Sequence, residues 1–326
     1  MDRRIKELYN DTILTTAFER YGIDEKTVKK LGGFESYIYE YGPGDDRKIL
    51  RIAHSYHRSM EDLHAEMEWV DYLCQNGADV AGAVHSANGL LAEKIESIDS
   101  YFIASSIEKA PGKEPDRSVW GAPLFKEWGR AVGKLHRLTK DYVPKWIPRF
   151  HWHDEYLVKD YDKYLPKNQM LVIQKTGAII NQLKKLDKDR DSYGLIHTDI
   201  HHGNFFYDGK KITIFDFDDC AYKHFISDIA IAVFYSMMSR NDFKNKEDFA
   251  EFFIGHFMNG YCTENSLDDR WMKMLPEFLK LRETILYVVI CRSLDPDKPD
   301  KWCLNYIKEH RESIEKDTPV LLREII

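Results

Sequence analysis

The sequence predicts an α+β chain in two parts: a small β-rich N-terminal lobe, residues 1–107, and a larger, mostly helical C-terminal lobe, residues 108–326. Three observations predict it. Aromatic and β-branched runs cluster between Leu31 and Ile107. Long segments with apolar residues at helical spacing follow from about Pro123 onward. One polar stretch, residues 195–220, interrupts those helices and has strand-like runs on both sides. Strands gathered in one run and helices in another mark an α+β architecture rather than an alternating one.

Residues 1–30 read as helical with mixed charge. SYIYEY, GPGDD and RKILRIAH then read as strand, turn and strand, because β-formers flank a Gly/Pro cluster. In SMEDLHAEMEWVDYLCQNG, Met60, Leu63, Met67, Val70 and Leu73 recur at helical spacing, and Gly77 closes the helix. GLLAEKI and SYFIASSI add two strands, so residues 31–107 read as a small antiparallel sheet with one internal helix. A connector near 106–113 leads to a helix with Phe125, Trp128, Val132, Leu135 and Leu138 on one face. Residues 153–187 read as helix, and from Asp228 the chain is mostly helical again.

Composition excludes several classes. Apolar residues make up 43 % of the 326, with 19 Tyr and 17 Phe, which is globular rather than disordered. No apolar run reaches the roughly 18–20 residues of a membrane span. MDRRIKELYN has no apolar stretch behind it, so no secretory signal is expected. Five scattered cysteines, an odd number without Cys-x-x-Cys, argue against a disulfide framework or zinc ribbon and for a reducing, cytoplasmic setting. A net charge of −7 without a basic tract disfavours nucleic acid as the main partner.

The chemistry concentrates in LIHTDIHHGNFFYDGKKITIFDFDDC, residues 195–220. Asp208-Gly209 between two strand-like runs signals a two-residue hairpin turn. Facing residues would then sum to 417, placing Asn204 opposite Thr213 and Asp216 opposite His201. Asp199, Asn204, Asp216 and Asp218 are thus expected to emerge at one end. Carboxylates and a carboxamide gathered without basic partners suit a hard cation such as Mg²⁺, which takes oxygen ligands and keeps positions open for phosphates. The alternative is zinc on His197, His201 and His202 with Asp199, but Gly203 and the flanking strands offer no further ligand pattern.

His-x-Asp-x-x-x-x-Asn, then a hairpin, then Asp-Phe-x, is the spacing of the catalytic and metal loops of protein-kinase-like enzymes. HTDIHHGNFF and IFDFDDC resemble the motif of the aminoglycoside phosphotransferase and choline kinase superfamily, which includes homoserine kinases and stress-response Ser/Thr kinases. The resemblance implies the bilobal protein-kinase-like fold. It further implies Asp199 as catalytic base, His197 as the residue shaping the loop, Asn204 and Asp216 as Mg²⁺ ligands, and Asp218 as an acid within reach of a second metal. Asp228 resembles the buried Asp that ties the catalytic loop.

On the nucleotide side, alternation in RKILRIAH puts Ile49, Arg51 and Ala53 on one strand face. Glu66 neighbours Leu63, Trp69 and Val70 on its helix, so it projects near the apolar face and needs a cation. The resemblance implies that Arg51 and Glu66 form the ion pair that holds ATP phosphates, with Arg where most kinases have Lys. It places a loose phosphate loop at LGGFESY, with Gly32 and Gly33, and the inter-lobe hinge at SSIEKAPG. His136 reads as a packed core histidine.

The expected activity is ATP- and Mg²⁺-dependent transfer of the γ-phosphoryl group to a hydroxyl of a small molecule. The alternatives are a Ser/Thr protein kinase of the stress-response type and a non-catalytic nucleotide-binding module. The expected partners are nucleotide and a hydroxyl-bearing acceptor.

Overall fold

The computed structural model describes residues 3–239, 245–294 and 299–322. The first elements are α1 (Arg3–Leu8), α2 (Asp11–Tyr21), β1 (Lys29–Lys30), β2 (Tyr37–Tyr41), β3 (Lys48–His54), α3 (Met60–Gln75), β4 (Ala83–Val84), β5 (Ala92–Ser97) and β6 (Ser100–Glu108). Next come α4 (Ala122–Thr139), α5 (Tyr156–Lys159), α6 (Tyr161–Tyr164), α7 (Met170–Leu183), β7 (Tyr193–Ile196), β8 (Phe205–Tyr207), β9 (Ile212–Ile214) and β10 (Ala221–His224). The remainder is helical: α8 (Ile226–Ser239), α9 (Lys246–Tyr261), α10 (Asp269–Met272), α11 (Leu275–Ser293) and α12 (Lys301–Lys316).

The chain divides into two compact units that are not the two halves expected from the sequence. One comprises Met1–Glu114, Asp141–Arg149 and Phe205–Asp218; the other comprises Pro115–Lys140, Phe150–Asn204 and Asp219–Ile326. The boundary expected at 107/108 thus falls at Glu114/Pro115, and two later segments join the first unit. Backbone pairing explains one of them. Ala81 N donates to Ile214 O at 2.8 Å, Ile214 N to Asp79 O at 2.9 Å, and Tyr207 N to Lys113 O at 2.8 Å. Glu68 explains the other: its Oε1 accepts from Tyr142 OH at 3.1 Å and from Lys145 N at 2.7 Å.

Within the first unit, an antiparallel sheet runs β1-β2-β3-β6-β4, with β5 also on β6. Alternation along β3 sorts its two faces. Leu50 and Ile52 join Ile13, Phe18 and Tyr39 in a core beneath α1 and α2. Ala53 packs with Leu63 of α3, so Arg51, on the same face as Ala53, is turned toward α3. Ser59 starts α3 with a capping box to Asp62, which satisfies orphan N–H groups at the helix start. Gly77, at φ +76°, lets Ala78 N reach Leu73 O and ends it.

The β8–β9 hairpin pairs Phe205 with Ile214 and Tyr207 with Ile212, so facing residues sum to 419, not 417. The Asp208 side chain accepts from both Lys210 N and Lys211 N at 2.8 Å, which makes the turn four residues long. A shift of two residues leaves each side chain on its expected face.

The second unit is helical around the β7–β10 ribbon, in which Ile196 faces Ala221 and Tyr193 faces His224. Residues 153–187 are not one helix. Pro166 forces Leu165 into extended backbone, with ψ 142°, which separates α6 from α7. Helices α4 and α9 approach closely at glycines: a Cβ on Gly129 would lie 1.8 Å from Phe257 O. Among the described residues, no helix is long and apolar enough to cross a membrane.

Candidate active site

In the second unit, β7 ends at Ile196 and a tight loop carries residues 197–204. The fully buried Asp228 shapes it from beneath. Its Oδ2 accepts from His197 N at 3.1 Å and its Oδ1 from Thr198 N at 2.8 Å. The sequence reading of Asp228 as the tie of this loop is what the geometry has. His136 lies buried behind it, with Nε2 3.2 Å from Asp228 Oδ2, Nδ1 2.9 Å from Tyr261 OH, and its ring stacked on Phe225. Thr198 adopts φ +63°, a region that costs a β-branched residue about 1–3 kcal/mol. Its N–H bond to Asp228 and its hydroxyl bond to Asp219 O, 2.5 Å, hold it there.

This bend presents Asp199. Its N–H donates to Nδ1 of the buried His197 at 3.3 Å. Asn204 Nδ2 donates to Asp199 O at 2.9 Å and to Asp199 Oδ2 at 3.2 Å. Both Asn204 amide hydrogens are therefore drawn toward Asp199, leaving its Oδ1, a hard neutral donor, for a ligand. Asp199 Oδ1 meets Arg282 Nη2 at 2.5 Å. The same nitrogen donates to Tyr235 OH, and the guanidinium lies 4.8 Å from the Tyr235 ring centroid. Burial alone would push the Asp199 carboxyl up. Burial is the largest single effect, but Arg282, His201 and His197 together outweigh it and hold the group well below the usual carboxylate range. Burial pushes Tyr235 up to about 12, so it remains a phenol.

Sequence reasoning missed Arg282 and Tyr235. The signal was present: Arg282 lies four residues from Phe278 and from Leu286, both buried, the spacing that marked Glu66. Of the other loop histidines, His201 puts its Nε2 3.4 Å from Asp199 Oδ2. His201 Nδ1 accepts from Gly203 N at 3.0 Å, and His202 packs against Trp120. Among the described residues, no group of three or more His, Cys, Asp or Glu side chains is arranged to hold a metal ion.

In the first unit, Arg51 Nη2 meets Glu66 Oε2 at 2.8 Å, with Glu66 only 2 % exposed. Burial would lower the Arg51 pKa, but Glu66 and then Asp218 raise it, so the cation persists. Asp218 sits among cations. His57 Nε2 lies 2.8 Å and Arg58 Nε 3.4 Å from its Oδ2, and Arg51 Nη1 lies 3.7 Å from its Oδ1. Against burial, these three hold it well below its ordinary value. Arg149 donates to the Asp218 and Asp62 carbonyls. Asp216 adopts φ +65°, and the buried Phe217 ring packs edge-on against Trp69. Gly33 is required: a Cβ there would lie 2.1 Å from Ser36 O, whereas one on Gly32 meets nothing within 4 Å.

The chain as a whole is matched by known proteins. The model of the phosphotransferase enzyme family matches residues 27–274. The chain belongs to the phosphotransferase enzyme family. It is similar to amicoumacin kinase of Bacillus subtilis (strain 168), 37 % identical over 97 % of this chain and 95 % of that protein. A solved amicoumacin kinase, hAmiN, in complex with AMP-PNP, Ca²⁺ and Ami, superposes with a TM-score of 0.95 at 34 % identity, over 100 % of this chain and 99 % of that one. A microcompartment-associated aminopropanol kinase shares the fold, with a TM-score of 0.77 at 20 % identity, over 94 % of this chain and 97 % of that one. This phosphotransferase thus has the protein-kinase-like fold expected from its loop motif, and it is a kinase of small molecules.

Proposed function

We propose that the protein phosphorylates a hydroxyl of amicoumacin or a close chemical relative, using ATP and Mg²⁺. The observation that carries this reading is the 37 % identity with amicoumacin kinase across nearly the whole of both chains. The residues fit the chemistry. Asp199, kept ionised by Arg282, orients the acceptor hydroxyl and takes its proton as the oxygen attacks the γ-phosphorus and the bond to the ADP oxygen breaks. Asn204 and Asp216 offer the oxygen donors that a hard divalent cation prefers. When bound, that cation would neutralise charge on the phosphates. Arg51, oriented by Glu66, supplies a forked cation for phosphate oxygens, and Gly33 permits the backbone bend of the phosphate loop.

Asp218 receives a different role from the second-metal ligand expected on sequence. With its carboxylate surrounded by His57, Arg58 and Arg51, it positions the Arg51 guanidinium. Five unpaired cysteines are in keeping with a cytoplasmic enzyme. The test is incubation of the purified protein with Mg·ATP and amicoumacin, followed by mass spectrometry. A phosphorylated product is expected; none, under conditions in which ATP binds, would overturn the acceptor.

A further inference from the structure

Beside the Asp199 loop lie hydrogen-bond donors with no acceptors. Trp152 is 4 % exposed, yet among the described residues no acceptor reaches its Nε1, and none reaches Arg282 Nε. Lys223 points over the Trp152 ring, with Nζ 5.3 Å from the centroid, and among the described residues no carboxylate pairs with it. Residues 150–152 run along β10, where Trp152 N donates to Tyr222 O at 3.1 Å and Tyr222 N to Phe150 O at 3.0 Å. The charges that bear on Lys223 are Arg282 from α11 and Asp228 from α8. Both Asp228 oxygens already accept from the loop backbone. Trp152 Nε1 and Arg282 Nε are buried, and donors left unpaired there are costly unless a ligand completes them.

We propose that Lys223, Trp152 Nε1 and the Arg282 guanidinium form an acceptor-binding subsite. It selects an alcohol that carries a carbonyl or carboxylate oxygen near the hydroxyl offered to Asp199. This rests on the amicoumacin-type reading above. Burial first, and Arg282 second, push the Lys223 ammonium down to about 7, with Asp228 opposing. A cation held in that state gains from an arriving oxygen what the protein does not give it. An acceptor whose only polar partner is an ammonium finds no matching acid in this donor set.

The experiment is steady-state kinetics with amicoumacin and with ATP as the varied substrate in turn. Lys223→Met should raise the KM for amicoumacin about tenfold or more, the loss of a charged hydrogen bond. It should leave kcat within about threefold and the KM for ATP unaltered. Lys223→Arg should restore most of the affinity. Trp152→Phe keeps the buried ring and should raise the same KM about threefold; it carries the test if Lys223→Met folds poorly. An unaltered amicoumacin KM in the variants, or an equal rise in the KM for ATP, overturns the subsite alone. No turnover of amicoumacin by the unmodified protein overturns the acceptor reading and the subsite with it.

Discussion

At the scale of single residues, Asp199 and Arg282 divide one task. A general base works only as the carboxylate, so a carboxyl held well below its ordinary range keeps the rate flat as the solution is acidified through that range. Asp199→Asn should lower kcat by roughly 10²–10⁴ and leave the affinity for Mg·ATP nearly unchanged. Arg282→Met removes the charge that offsets burial at Asp199. The carboxyl then rises, and an acid limb should enter the kcat/KM profile that the unmodified protein lacks over the same pH range. A limb that does not move would show that Arg282 is not what keeps Asp199 ionised. Asp216→Asn should behave differently, weakening nucleotide binding and turnover together. ATP should bind far more weakly in EDTA than in Mg²⁺ by calorimetry; equal affinities would remove Asn204 and Asp216 from the metal set. Asp199, Asn204 and Asp216 could be proposed from the sequence because their spacing is local. Arg282 was less legible, since its partner is 83 residues away and only the helical period pointed inward.

At the scale of elements, periodicity revealed α3 and β3 and the face on which Arg51 and Glu66 meet, because both periods are set within one strand or one turn. It did not reveal how closely α4 and α9 approach. Gly129 and Gly133 stand four apart on α4, and added Cβ atoms would meet the Phe257 and Tyr261 carbonyls. Small residues at that spacing were visible, but only packing gives them meaning. Gly129→Ala should therefore destabilise by about 3 kcal/mol, the upper end of overpacking costs. Gly255→Ala, on α9 with nothing within 4 Å of the added carbon, should be neutral or stabilising by up to about 1 kcal/mol. Thermal unfolding of the pair decides it. Equal shifts would mean that helix propensity, and not the close approach, dominates at Gly129. The break between α6 and α7 was missed for a related reason: the apolar period continues across Pro166, and the proline had to outvote it.

At the scale of the whole molecule, the α+β order of strands and helices was legible, while the partition of the chain was not. Backbone that closes the first unit comes from residues 141–149 and 205–218, after the chain has already built α4. No sequence-local signal marks Ile214 as the partner of residues 79–81 or Phe217 as the neighbour of Trp69. This has a consequence for folding. A chain ending at residue 107 retains the sheet order through β6 but loses the pairing at Ala81 and the edge-on cover of Trp69. It also loses both donors to the buried Glu68, Tyr142 OH and Lys145 N. An uncompensated buried carboxylate and an uncovered Trp each cost on the order of 2–3 kcal/mol, a large share of the 5–15 kcal/mol that holds a typical domain. Residues 1–107 alone should therefore show no cooperative thermal or urea transition and should bind ATP measurably less tightly than the full chain. A cooperative transition matching one phase of full-chain unfolding would establish that the first unit is complete without its later segments.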